Sequence, residues 1–123
     1  MAERAEQLER AGWIIEAAQD KKAVELVALD VRELTSYADT FVLATGTSDR
    51  HARSVADSIR EAASVRGEKP IGVEGYDEAR WVLIDLGDVI VHVFQPDVRE
   101  SYDLERLWSD ATSLDLPALA AAG

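Results

Sequence analysis

At 123 residues the chain is about one domain long, and 47% hydrophobic with 30% charged residues is the composition of a globular domain, not of a disordered or fibrous one. No cysteine and only two histidines exclude a disulfide framework, a thiolate nucleophile and any Cys-ligated zinc or iron–sulfur site, and leave little for a His-rich metal centre. Thirteen Lys and Arg against 24 Asp and Glu leave a net charge of −11, which opposes free nucleic acid and favours a basic partner.

Met1 to Arg10 mixes acidic and basic residues without the apolar run of a signal segment. No stretch reaches the roughly 18 apolar residues of a membrane span, so a cytoplasmic protein with no membrane partner is expected. Leu8, Ala11, Ile15 and Ala18 recur at helical spacing and predict a helix over about residues 3 to 18. Val24 to Val31 reads as a strand, Thr35 to Asp39 as a turn, and Thr40 to Thr45 as a strand buried on both faces and ended by Gly46. Ser48 is a candidate N-cap for a helix over about 49 to 66, whose stripe is Ala52, Val55, Ala56, Ile59 and Ala63 and whose stop is Gly67.

Pro70 to Gly75 predicts a weak edge strand. Trp81 to Leu86 and Val89 to Phe94 flank Gly87-Asp88, the two-residue connection of a tight hairpin. After Pro96, the spacing of Tyr102, Leu104, Leu107 and Trp108 suggests a short helix packing back on the sheet, and residues 111–123 form a poorly specified tail. The expected fold is therefore a single α/β domain over residues 1–110, with a mixed β-sheet flanked by helices.

Strand alternation sorts the hairpin into two faces. One carries Val82, Ile84, Leu86, Val89, Val91 and Val93, wholly aliphatic, and belongs to the main core. The other carries Trp81, Leu83, Asp85, Ile90, His92 and Phe94, where a carboxylate and an imidazole interrupt the apolar bulk. Two readings of this mixed face stand side by side. A helix covers it, with Asp85 at the wet rim and His92 hydrogen-bonded; or it is a partner surface, with Trp81 as anchor and Glu74, Asp77, Glu78, Asp85 and Asp88 steering a basic protein toward it.

Catalytic constellations are weak by comparison. Gly46-Thr47-Ser48 at a strand-to-helix junction resembles the Gly-Ser signature of nucleotidyltransferases, but such enzymes hold Mg²⁺ with two carboxylates at i and i+2 of a strand. Asp85 and Asp88 are three apart across a turn, and Gly87 stands two after Asp85. Ser48, Asp49 and His51 lie within one helical turn, too close to align a nucleophile, base and orienter, and Ser48 reads better as a cap. No phosphate-loop or dinucleotide fingerprint is present, and His51 and His92 lack ligand-spaced companions. No cofactor is expected.

Several segments taken together resemble one family. Lys21-Lys22-Ala23-Val24-Glu25, Leu29-Asp30-Val31, Ala38-Asp39-Thr40-Phe41-Val42, Thr45-Gly46-Thr47-Ser48-Asp49-Arg50-His51, Val73-Glu74-Gly75, the whole hairpin from Trp81 to Phe94, and Tyr102 to Trp108 are similar, in order, to the ribosomal silencing factor (Iojap, RsfS) family over about residues 5 to 110. The resemblance implies a nucleotidyltransferase-like fold without the catalytic carboxylates, and hence a binding protein. It further implies docking on the large ribosomal subunit through ribosomal protein fourteen, a basic protein at an intersubunit bridge, blocking association with the small subunit and repressing translation. Carried over by residue, it points to Trp81, Val82, Leu83, Glu74, Asp85 and Asp88 as partner-binding positions, and it allows a homodimer. The competing readings are a nucleotidyltransferase-like enzyme using Gly46 to Ser48 and a generic acidic protein-interaction domain.

Overall fold

The computed structural model describes residues 2–122. Helix α1 (Ala2–Asp20) presents Ala11, Ile14, Ile15 and Ala18 to the core, all at 0% exposure, and extends two residues past the predicted stop. Strands β1 (Val24–Asp30) and β2 (Thr40–Thr45) follow, the second buried at every position as its unbroken apolar run requires. The Ser48 hydroxyl accepts the His51 N–H at 3.0 Å and caps α2 (Asp49–Val65), which buries the stripe read from the sequence, and Gly67 follows at a φ of +76°. The edge strand β3 (Gly72–Glu74) is short, as a glycine at its start and Gly75 just past its end predict.

Strands β4 (Trp81–Asp85) and β5 (Val89–Phe94) pair in the register that alternation requires, Trp81 with Phe94 through Asp85 with Ile90, and the Leu86 N–H closes the turn on the Val89 carbonyl at 2.9 Å. The single short helix expected after Pro96 is two, α3 (Pro96–Tyr102) and α4 (Leu104–Leu107), because Asp103 takes a left-handed conformation (φ +48°) between them. The segment beyond Asp110 contributes more than its composition suggested. Thr112–Ser113 (β6) adds an outer strand against Leu29 and Asp30, Leu114 and Leu116 are buried in the core, and α5 (Pro117–Ala122) lies against α1.

The six-stranded sheet runs β3-β4-β5-β2-β1-β6, and β2 with β5 is its parallel pair, the others being antiparallel. On one face α1 and α2 pack over Val42, Val82, Ile84, Val91 and Val93. On the other a smaller cluster of Phe41, Leu43, Ile90, Phe94 and Leu104 is partly roofed by α3, α4 and Trp108. The helices following the two parallel strands thus leave toward opposite faces, an arrangement that opens a crevice at the strands' carboxyl ends in many α/β proteins.

Candidate docking surface

Register places three rows of side chains on the partly roofed face. Glu74, Leu83, His92, Leu43 and Val27 line up across the strands, Gly72, Asp85, Ile90, Phe41 and Leu29 form a second row, and Trp81, Phe94 and Thr45 a third. The roof covers the β1–β2 side and stops at β4, where Trp81, Leu83 and Asp85 are half-buried and Glu74 is exposed. The covering reading holds at the centre of this face, under α3 and α4, and stops short of its β4 margin, which is open.

Trp81 is fixed from behind and beside. Its indole N–H donates to Nδ1 of His92 at 3.0 Å, and its ring lies against Phe94 (centroids 5.8 Å apart) and Tyr102 (4.8 Å). His92 is 6% exposed, edge-on to Phe41 at 5.3 Å, and burial lowers its pKa to about 4. Because Nδ1 accepts from the indole, the proton of the neutral ring sits on Nε2, which has no hydrogen-bond partner among the described residues. Such a ring is a fixed acceptor that sets the indole in one orientation.

The remaining residues carried over by resemblance separate by geometry. Asp85 accepts the Gly87 N–H at 2.9 Å and so stabilises the hairpin turn while staying at the rim. Val82 has to be corrected: it is 0% exposed, turned to the α1–α2 face, and no partner touches it in the folded protein. Alternation had already placed it there. Asp88 points toward α1, where it pairs with Arg10 at 3.0 Å beside Glu68, and its carbonyl accepts the N–H groups of Asp39 and Thr40, so its evident task is internal.

The crevice above the parallel strands is occupied by the protein's own groups. Gln95, 8% exposed, donates to the Asp49 carboxylate and to the Ala79 carbonyl (3.1 Å). Nδ1 of His51 accepts the Thr47 N–H at 2.8 Å, and Nε2 faces the Lys21 carbonyl at 2.7 Å, so the imidazole is a structural clasp between two loops. A Cβ on Gly46 would lie 2.6 Å from the Ala52 Cα, so this glycine serves the close approach of strand to helix. The donors that an anion-binding loop would offer are thus partly engaged, the Gly46 N–H by the Phe94 carbonyl and the Thr47 N–H by His51.

Sequence reasoning missed Arg99 and Tyr102 as contributors. Arg99, 6% exposed, holds α3 to the sheet through the Glu25 carbonyl (2.5 Å) and the Thr45 hydroxyl (2.9 Å), and to α4 through the Glu105 carboxylate (2.9 Å). Tyr102, 61% exposed, is the last residue of that helix and stands beside Trp81. The helical spacing of Tyr102 was visible, but its meeting with a residue twenty-one positions earlier was not.

Fold and surface define a single-domain α/β protein with a mixed sheet, presenting an open aromatic margin rimmed by carboxylates. Residues 3–122 match the family described as "Ribosomal silencing factor during starvation", and the chain belongs to that family. It is 46% identical over 100 residues to the ribosomal silencing factor RsfS of Bacillus subtilis, covering 81% of this chain and 85% of that one, and 43% identical over 102 residues to RsfS of Halalkalibacterium halodurans, covering 83% and 87%. A crystal structure of a Chromobacterium violaceum protein superposes with a TM-score of 0.81 at 37% identity, covering 89% of this chain and 90% of that one. The family match takes in β6 and α5, beyond the stretch quoted from the sequence. Membership places the chain among regulators of translation. No helix among the described residues is long and apolar enough to cross a membrane.

Proposed function

We propose that the chain docks on the large ribosomal subunit through the basic ribosomal protein fourteen, occludes the small subunit and so represses translation, acting by binding and not by catalysis. The observation that carries this reading is the β4 margin: Trp81, locked by His92 and half-buried beside Leu83, with Glu74 and Asp85 at its edge. A rigid aromatic anchor within an acidic rim is what a basic protein patch recognises, and a net charge of −11 discourages binding to ribosomal RNA elsewhere. The crevice filled by Gln95, Asp49 and His51 supports binding over nucleotidyl transfer.

Sedimentation with purified subunits tests the proposal. Co-migration with large subunits and reduced joining to small subunits are the expected results. Mg²⁺-dependent nucleotide turnover with no co-migration would return the Gly46–Ser48 loop to consideration as an enzyme site.

A further inference from the structure

Half-buried Trp81 lies against Tyr102, which is 61% exposed and whose hydroxyl has no hydrogen-bond partner among the described residues. The indole N–H is already engaged by His92, so this aromatic pair offers a partner ring surface and the Tyr102 hydroxyl, but no indole donor. Tyr102, Glu100, Asp103 and Leu107 line one open hollow at the α3–α4 corner, with Arg106 its one lining cation, and Leu107 is 71% exposed. Three other rings of the chain carry one of its own guanidinium groups. Arg66 lies 4.6 Å from the Trp13 ring, Arg60 5.7 Å from Tyr76 and Arg99 5.5 Å from Phe94. Among the described residues no cation of the chain sits over Trp81 or Tyr102, and Arg80, next to Trp81 in sequence, is paired with Asp97.

We infer that the Trp81–Tyr102 pair receives an arginine side chain of the basic protein on which the chain docks, making the α3–α4 corner the second wall of the docking surface; this rests on the docking reading above. The chemistry favours that occupant over an apolar one. Aromatic rings attract a planar cation; Glu100 and Asp103 line the hollow with Tyr102, and Glu74 sits opposite Leu83, two residues along the strand from Trp81, so carboxylates are at hand for its forked donors. A leucine inserted there would gain the apolar contact and leave the carboxylates to be desolvated without a counter-charge.

The test compares full-length variants by co-sedimentation with purified large subunits, alongside their melting temperatures. Tyr102→Leu, which keeps bulk but removes the π-face, should weaken binding by about tenfold with an unchanged melting temperature, while Tyr102→Phe should stay within about twofold of the parent. If Tyr102→Leu binds as the parent does while Trp81→Ala is weakened, the arginine receptor is overturned and the docking reading stands. If the parent itself does not co-sediment, the docking reading fails, and titration of the labelled protein with N-acetylarginine amide decides the inference alone: a saturable shift of the Trp81 indole N–H resonance, absent in Tyr102→Leu, supports it, and no shift overturns it.

Discussion

The indole N–H of Trp81 donates across the hairpin to Nδ1 of His92, 3.0 Å away on the neighbouring strand, and joins the half-buried tryptophan of the sheet margin to a buried imidazole. This bond makes the proposed docking role of the margin and the folding stability separable by substitution. Trp81→Phe should keep the packing against Tyr102 but strand the His92 acceptor, lowering stability by about 1–2 kcal/mol. Binding to large subunits should fall only a few-fold. Trp81→Ala should weaken binding about thirtyfold, about 2 kcal/mol. Equilibrium denaturation together with sedimentation checks both, and a Trp81→Ala protein that melts early yet binds normally when folded would move the docking surface elsewhere.

The same histidine sets a pH dependence. Its folded pKa of about 4 lies below the ordinary 6.5, so between those values the unfolded chain binds the proton that the folded one refuses. Stability is therefore complete above pH 6.5, falls as pH drops toward 4, and loses nothing further to this group below that. The loss is on the order of 3 kcal/mol. Urea unfolding at a series of pH values should show this slope in the parent and lose most of it in His92→Gln. An identical slope in both would exclude His92 as its source.

Gly46 and Gly75 are required by close approach. A Cβ on Gly46 would press on the Ala52 backbone, and one on Gly75, at a φ of +77°, would lie 2.1 Å from the Trp81 carbonyl oxygen. Gly46→Ala should cost about 2–3 kcal/mol by forcing β2 away from α2. Gly75→Ala should cost at least as much, through both clash and backbone strain. Thermal melts of the two variants measure this.

Arg99→Met should detach α3 from the sheet. It removes the donors to the Glu25 carbonyl and the Thr45 hydroxyl, at an expected cost of about 3 kcal/mol. Because Tyr102 ends the same helix, binding to large subunits should weaken as well, and hydrogen exchange should rise first in residues 96–107.

Rim and interior carboxylates should respond differently. Glu74→Lys reverses an exposed charge at the sheet edge and should slow association and flatten its salt dependence, with little change in dissociation. Asp88→Asn should instead lower stability by loosening Arg10 and leave association rates unchanged. Stopped-flow association at two ionic strengths separates them; a slowed Asp88→Asn would return Asp88 to the docking rim.

What the chain determined by itself is local and periodic. The Ser48 cap, the buried run from Thr40 to Thr45, and the two faces of the Trp81–Phe94 hairpin all follow from side-chain period and turn chemistry, which act within a few residues. The alternation even placed Val82 in the core, against the position that resemblance suggested. Only the tertiary structure decided how the mixed face is shared between roof and opening, because that depends on where α3 and α4 come to rest. Their position is fixed by one buried arginine reaching a bulged stretch of β1, where Glu25 takes a φ of +53°, seventy-four positions away. The same long-range packing brings Tyr102 to Trp81 and draws Leu114 and Leu116 of a small-residue tail into the core. Their apolar character was visible in the sequence, but the surfaces that receive them are assembled from strands distant in the chain.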